Sequence, residues 1–234
     1  MFPLKDENPT RRVPVFTVAF IVLCTLIFFM QFSAGAAGMQ RIVVQYGLIP
    51  GALLGTEPAA AGYAAVPPPL TVITSMFLHG GWMHLIGNML FLWIFGNNIE
   101  DELGHGRFIL FYLLSGIGAA AAQIIAMPYS NIPMVGASGA ISGVLGAYLV
   151  LYPRAKILTL IFLGVFITWA HIRAVWFIGG WFLFQTISAL AASGGAGGVA
   201  WWAHIGGFLA GLLLIFVFRS RRATIRPPRR GPWG

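Results

Sequence analysis

The sequence predicts an all-α polytopic membrane protein with six transmembrane helices. Of its 234 residues, 58% are hydrophobic and only 9% are charged, whereas a soluble domain usually carries about 25% charged residues. Such a chain cannot cover its surface with side chains that water solvates well. Six apolar segments are also long enough to cross a bilayer, since a spanning helix needs roughly 17 to 25 residues. Helix is the expected conformation because lipid offers no partner for backbone N–H and C=O groups.

The predicted spans account for most of the apolar residues. They are Val13–Ser33, Trp82–Ile99, Phe108–Met127, Val135–Tyr152, Ala174–Ala192 and Trp201–Phe218. The first span is longer than the apolar core of a signal peptide, so we expect it to remain in the protein. The loop that follows it, Ala34–Leu70, is rich in Gly, Pro and Ala. We expect part of this loop to dip into the membrane interface.

A seventh apolar run, Ile157–Trp169, is ambiguous. It is short for a span, and basic residues flank it on both sides, with Arg154 and Lys156 before it and Arg173 after it. Because basic residues favour the cytoplasmic side of a membrane, both ends of the run are expected there. We therefore predict an interfacial or re-entrant segment instead of a seventh span.

The distribution of basic residues predicts the orientation. With both termini in the cytoplasm, 13 of the 14 Lys and Arg residues fall in cytoplasmic segments and only Arg41 falls outside. This predicts a cytoplasmic tail at 1–12, a membrane domain at 13–218 and a basic cytoplasmic tail at 219–234. The bias favours a prokaryotic plasma membrane. The same bias accounts for the net charge of +8: the basic residues set the orientation and contact anionic lipid. This interpretation disfavours nucleic-acid binding.

The acidic residues and the single cysteine exclude several chemistries. All six acidic residues lie in predicted tails, loops or span ends: Asp6, Glu7, Glu57, Glu100, Asp101 and Glu102. The sequence therefore lacks the buried carboxylate pair of an intramembrane aspartyl protease, the buried acid of a proton-coupled transporter and the H-E-x-x-H motif of a zinc protease. Cys24 has no second cysteine with which to form a disulfide. We expect neither a cofactor nor a metal.

Polar residues remain at the predicted outer ends of three spans. His84 and Asn88 are four residues apart, so they share one helix face and can donate hydrogen bonds toward one point. Ser138 lies near the start of the fourth span and His204 near the start of the sixth. All four residues fall at one predicted depth. Because polar and ionisable groups are expensive inside a bilayer, this coincidence favours a functional site.

Small residues predict how Ser138 and His204 meet. The glycines in question are Gly139 and Gly143 after the serine, and Gly207 and Gly211 after the histidine. Faces of small residues let two membrane helices approach closely, which would bring the serine hydroxyl within reach of the imidazole. Each residue alone has an ordinary interpretation, since membrane serines usually bond their own backbone and membrane histidines usually bridge helices. The conjunction at one depth favours catalysis.

Four stretches of the chain resemble the rhomboid family of intramembrane serine proteases. They are H-G-G-W-M-H-L-I-G-N-M-L-F-L-W-I-F-G-N-N-I-E-D at 79–101, G-A-S-G-A at 136–140, Y-P-R-A-K at 152–156 and A-H-I-G-G-F-L-A-G at 203–211. They occur in order and, together with the six-span layout, they extend over most of the chain. A G-x-S-G motif alone is a weak signal, whereas the ordered set is highly specific.

The resemblance implies a role for each matching residue. Ser138 is similar to the nucleophile and His204 to the general base of a dyad that has no third acid. His84, Asn88 and the backbone N–H of Ser138 resemble the donors of an oxyanion hole. The other matching positions resemble structural supports, and they are His79, Gly136, Gly139, Gly207 and Gly211.

The chain departs from the family pattern at two points. Relatives carry a tyrosine one helical turn after the nucleophile, against which the base packs, and here that position is Ser142. The first outer loop also lacks a Trp-Arg pair. Support for His204 is therefore expected from elsewhere in the chain.

Three hypotheses for the function follow. The leading one is an intramembrane serine endopeptidase in the lipid bilayer that cleaves transmembrane proteins near their outer ends, with the fifth span and the loop Ser193–Gly198 as candidate gates. A non-catalytic relative that binds membrane segments of client proteins is the alternative, disfavoured because Ser138 and His204 are both present. A small-molecule transporter would need internal repeats and a site at the midplane, and the sequence indicates neither.

Overall fold

The computed structural model describes residues 2–56, 63–163, 166–191 and 199–219. The α-helices in these residues are α1 (Val15–Ser33), α2 (Gly35–Tyr46), α3 (Pro50–Leu54), α4 (Thr71–Thr74), α5 (Trp82–Phe91), α6 (Asn97–Leu103), α7 (His105–Ala126), α8 (Ser138–Leu151), α9 (Ala174–Ala191) and α10 (Trp201–Phe218). The strands are β1 (Phe2–Asp6), β2 (Lys156–Leu163) and β3 (Phe166–Arg173). A π turn, Leu92–Gly96, joins α5 to α6. Of the predicted tail 219–234, only Arg219 lies within the described residues.

Four of the described helices are long and apolar enough to cross a membrane: α1, α7, α9 and α10. They make the chain a polytopic membrane protein. The fourth predicted span is shorter than expected, because α8 has 14 residues. The second predicted span is helical from Trp82 to Leu103, but the π turn interrupts it. The count of six spans therefore stays a prediction.

The expectation of an all-α chain is wrong at the short apolar run. Its described residues, 157–163 and 166–169, lie in β2 and β3, which pair as an antiparallel hairpin in which Lys156 is opposite Arg173. Strand β1, inside the predicted tail 1–12, pairs with the other edge of β2 and gives a three-stranded sheet of order β1-β2-β3. The run is rich in Ile, Thr and aromatic residues, which favour strands. Pairing across the hairpin also satisfies backbone groups that a run too short to span would otherwise leave exposed.

Helices α8 and α10 are in direct backbone contact. A Cβ atom added to Gly207 would overlap the carbonyl oxygen of Gly139, and one added to Gly211 would overlap the backbone of Gly143. On its other side α10 approaches α7, where a Cβ on Gly206 would overlap the side chain of Ala122. The glycines therefore let α10 lie against two helices at once, which is the close approach that small-residue faces permit.

A buried carboxylate organises the end of the bundle that carries the sheet, called the sheet end below. Glu100 has no exposed surface. It accepts hydrogen bonds from the backbone N–H groups of Phe16 (2.9 Å) and Thr17 (2.8 Å) and from the Thr17 hydroxyl (2.7 Å), and it lies 2.6 Å from His105 Nδ1. The first N–H groups of a helix have no partner within it. Glu100 therefore caps α1, whose preceding residue makes no side-chain cap.

A second carboxylate at the sheet end ties β1 to the helices. Asp6 Oδ2 accepts hydrogen bonds from Asn98 Nδ2 and from the Tyr148 hydroxyl, both at 2.8 Å. Burial raises the pKa of Asp6 to about 6, and the hydrogen bonds from Tyr148 and Asn98 oppose that shift without cancelling it. The N-terminal strand is thus attached to both α6 and α8 through one side chain.

Candidate active site

A cavity of about 850 Å³ opens at the other end of the bundle, called the cavity end below. Its walls include the starts of α5, α8 and α10, the middle of α7 and part of α9. His84, Asn88, Ser138 and His204 all line it. The structure therefore brings together the four polar residues that the sequence analysis selected from three separate segments.

Ser138 and His204 are in hydrogen-bond contact. The distance from Ser138 Oγ to His204 Nε2 is 2.8 Å. Helix α8 begins at Ser138, three residues later than predicted, because the preceding chain turns through Gly136 at a φ of +125°. That conformation is one that L side chains rarely adopt, which explains the glycine. A hydroxyl bonded to a bare imidazole nitrogen can lose its proton to that nitrogen.

The second ring nitrogen of His204 also has a partner. His204 Nδ1 lies 2.7 Å from Oε1 of Gln185, a buried residue of α9. The rings of Trp181 and Trp201 flank the imidazole, with centroids 6.1 and 6.2 Å away. Sequence reasoning missed Gln185, because it belongs to none of the stretches that resemble the family. The available signal was an amide side chain in the middle of an apolar span, where polar groups are rare.

Ser142 does not take the place of the missing tyrosine. Its hydroxyl donates a hydrogen bond to the carbonyl oxygen of Ser138, one turn earlier in α8, at 2.6 Å. This is the bond to the helix's own backbone that is usual for serines in membrane helices. Apart from the contact with Ser138, the His204 ring is held by residues of α9 and of α10 itself.

Two side-chain donors face the chain just before Ser138. His84 Nδ1 accepts a hydrogen bond from the Gly80 N–H at 3.3 Å, so the neutral ring carries its proton on Nε2. A Cβ atom on Gly136 would lie 2.6 Å from His84 Nε2 and 3.6 Å from Asn88 Nδ2. Asn88 Nδ2 is buried and has no hydrogen-bond partner among the described residues. Both donors therefore point at a space that only a glycine leaves open.

His79 packs against His84 but does not line the cavity. It is fully buried, and its ring meets that of His84 edge to face with centroids 5.2 Å apart. Gln31 of α1 holds its backbone from both sides, since the His79 N–H donates to Gln31 Oε1 (3.1 Å) and Gln31 Nε2 donates to the His79 carbonyl (3.2 Å). Helix α1 thereby fixes the chain that leads into α5.

Two further predictions concern gates and metals. Helix α9, one candidate gate, contributes Trp181 and Gln185 to the cavity wall, whereas the other candidate, Ser193–Gly198, lies outside the described residues. Within the part of the chain that the structure describes, no three His, Cys, Asp or Glu residues are grouped as metal ligands would be.

The fold and this cavity define an integral membrane protein with a serine–histidine pair at one end of its helices. The family model of the Rhomboid domain matches residues 69–221, which is more than half of the chain. The chain therefore belongs to the rhomboid family.

Named relatives agree with this assignment. The chain is 37% identical over 136 residues to "Rhomboid protease GluP" of Bacillus subtilis, a match that covers 58% of this chain and 24% of the relative. It is 31% identical over 165 residues to "Rhomboid-like protein 11, chloroplastic" of Arabidopsis thaliana, covering 66% and 54%. It is 34% identical over 158 residues to "Rhomboid protein 1, mitochondrial" of Saccharomyces cerevisiae, covering 63% and 41%.

The matches thus span about half or less of these relatives' own lengths. Chloroplastic and mitochondrial proteins stand among them beside a bacterial one. The comparisons therefore establish a membrane protein of the rhomboid family, and they do not favour a prokaryotic plasma membrane over an organellar one.

Proposed function

We propose that the chain is an intramembrane serine endopeptidase that hydrolyses peptide bonds of transmembrane proteins with Ser138 as nucleophile and His204 as general base. One observation carries the proposal, namely the 2.8 Å contact between Ser138 Oγ and His204 Nε2 at the wall of an open cavity. Membership of the rhomboid family supports it, and so does the relative named as a rhomboid protease.

The chemistry runs in two halves. His204 Nε2 takes the proton of Ser138 as the serine oxygen attacks the peptide carbonyl carbon, and the imidazolium then gives that proton to the departing amine. Water, deprotonated by the same nitrogen, attacks the acyl-enzyme ester, and the proton returns to the serine oxygen as the carboxylic acid leaves. Hydrolysis in a membrane requires water, which the cavity can supply to both halves.

The tetrahedral intermediate carries a negative charge on the former carbonyl oxygen. We assign its stabilisation to three donors: His84 Nε2–H, Asn88 Nδ2–H and the backbone N–H of Ser138. The last is the first residue of α8, where the helix dipole also favours negative charge. Donors that are in place before the charge develops stabilise it without reorganisation. The unpartnered Asn88 amide supports this assignment.

The substrate and its route in follow from the position of the cavity. A transmembrane helix has its backbone bonded internally, so it must unwind locally before a peptide bond can reach Ser138. Helix α9 is the candidate gate because it forms one wall of the cavity. The charge bias supports cleavage near the extracytoplasmic side, with both termini in the cytoplasm of a prokaryotic plasma membrane.

Labelling by a fluorophosphonate probe tests the dyad, since such probes react with activated serines without knowledge of the substrate. Wild-type protein in detergent should be labelled, whereas Ser138→Ala and His204→Ala should not. Ser142→Ala is the matched control one turn along α8, and it should still be labelled. Undiminished labelling of Ser138→Ala would refute the choice of nucleophile. A folded wild type that resists two probe classes would favour the non-catalytic alternative, a protein that binds membrane segments of its clients.

A further inference from the structure

Resting on the dyad proposed above, we propose that Gln185 of α9 is the positioning residue of His204, which holds the imidazole in the tautomer that can accept the Ser138 proton. The rhomboid resemblance supplies no residue that positions His204, because Ser142 stands where relatives carry a tyrosine. The structure offers Gln185 instead, with its Oε1 atom 2.7 Å from His204 Nδ1.

The direction of this hydrogen bond decides the tautomer. A carbonyl oxygen can only accept, so the proton of the contact belongs to His204 Nδ1. A neutral imidazole carries one proton, and Nε2 is then bare where it faces Ser138 Oγ at 2.8 Å. In the other tautomer the Nε2–H would point at the serine and could not take its proton. Gln185 thus does for His204 what a carboxylate does in a serine–histidine–aspartate triad.

No other described side chain is suited to this task. The acidic residues of the described ranges lie at 6–7 and 100–102, at the sheet end of the bundle. The rings of Trp181 and Trp201 restrict the imidazole but offer no acceptor. An amide is also the less costly choice in this place, because Gln185 is only 5% exposed and a buried carboxylate would pay for its desolvation.

The neighbouring residue shows what a polar side chain of α9 does without this role. Thr186 bonds the carbonyl oxygen of Phe182 within its own helix at 3.0 Å, and it does not line the cavity. Gln185, by contrast, crosses to α10. Gln185 is therefore the residue through which α9 hydrogen-bonds the base, beside the ring contact of Trp181.

Three variants of the full-length protein test the inference by their rates of fluorophosphonate labelling. Gln185→Met keeps the length of the side chain but removes the acceptor, and it should be labelled roughly tenfold to a hundredfold more slowly, since a buried N–H loses its partner. Gln185→Glu retains an acceptor oxygen at the same reach and should recover most of the rate. Thr186→Val is the matched control and should be labelled at the wild-type rate.

Nitrogen-15 NMR of histidine-labelled protein gives a readout that is independent of reactivity. The chain has five histidines, and the His204 signals are identified by their loss in His204→Gln. Wild type should show the proton on Nδ1, and Gln185→Met should show a shift toward the Nε2–H tautomer. An Nε2–H tautomer in wild type, or wild-type labelling by a folded Gln185→Met, would overturn the inference. A wild type that shows the Nδ1–H form yet is not labelled would refute the dyad and leave the role of Gln185 standing.

Discussion

The two ends of the bundle bury similar polar side chains but bond them differently. At the sheet end, the Glu100 carboxylate meets four donor atoms, and the amide nitrogen of Asn98 donates to Asp6 and Asn97. At the cavity end, ten residues earlier on the same helical stretch, the amide nitrogen of Asn88 has no partner among the described residues. The contrast therefore concerns the two amide nitrogens: that of Asn98 joins α6 to β1, although its Oδ1 has no partner among the described residues, whereas that of Asn88 is left available.

This difference separates stability from function. A buried donor without a partner costs roughly 1 to 3 kcal/mol, so a folded protein rarely keeps one unless something else binds it. The bonded groups at the sheet end are expected to matter for folding and not for the reaction. The unbonded group at the cavity end should behave in the opposite way. Three substitutions or changes of condition test that division.

The largest effect is expected for Asn88→Ala. Loss of one of the proposed oxyanion donors should slow fluorophosphonate labelling by about a hundredfold, which corresponds to about 3 kcal/mol. The melting temperature should stay level or rise, because an unpartnered buried donor is removed. The matched control is Asn98→Ala at the sheet end, which should melt lower and yet label normally per folded molecule. Equal loss of stability in the two variants would abolish the contrast between the two asparagines.

The next effect is expected for Glu100→Ala. The N–H groups of Phe16 and Thr17 would lose their acceptor, and we expect a loss of about 2 kcal/mol in the free energy of unfolding. Thermal melting in detergent measures it. Folded molecules of this variant should be labelled at the wild-type rate, because Glu100 lies at the opposite end from the cavity. A labelling rate that falls as far as in Asn88→Ala would contradict the separation of the two ends.

The smallest effect is expected from the titration of Asp6, because this carboxyl only attaches β1 to the helices. The folded-state pKa of Asp6 is raised from 3.8 to about 6, so the protonated carboxyl is the form that folding favours. The contribution of Asp6 to the free energy of unfolding is fully present below pH 3.8 and is lost as the pH rises through about 6. Hydrogen exchange at residues 2–6, corrected for intrinsic rates, should therefore show more opening of β1 at pH 8 than at pH 5.

Asp6→Asn provides the control for this pH effect. It keeps an oxygen that accepts from Tyr148 and Asn98, but it does not titrate. In this variant, the opening of β1 measured by hydrogen exchange should be the same at pH 5 and at pH 8. If the difference persists, another group controls the attachment of β1.

The sequence was informative where function restricts residue type and spacing. Helical periodicity placed His84 beside Asn88, and the small-residue faces of α8 and α10 indicated the close approach that the glycine contacts make. The boundaries of α9 and α10 were also close to those predicted. These features depend on local pattern, which a single sequence displays.

The features that were missed depend on partners distant in the chain. In sequence, the apolar hairpin resembles a short membrane segment. Its strand β2 pairs with β1, which lies more than 140 residues earlier in the chain. In sequence, Gln185 is a single polar residue in an apolar helix. In the fold, its Oε1 atom lies 2.7 Å from His204 Nδ1. The local sequence shows that Gln185 is an unusual polar residue in an apolar span, but it shows neither its partner His204 nor the pairing of β1 with β2.

The glycine contact between α8 and α10 bears on how the protein tolerates substitution. Because main chain touches main chain there, no side-chain rotamer takes part in setting the spacing of the two helices that carry Ser138 and His204. Substitutions of side chains along the cavity wall can therefore change the shape of the cavity while the spacing of Ser138 and His204 stays the same.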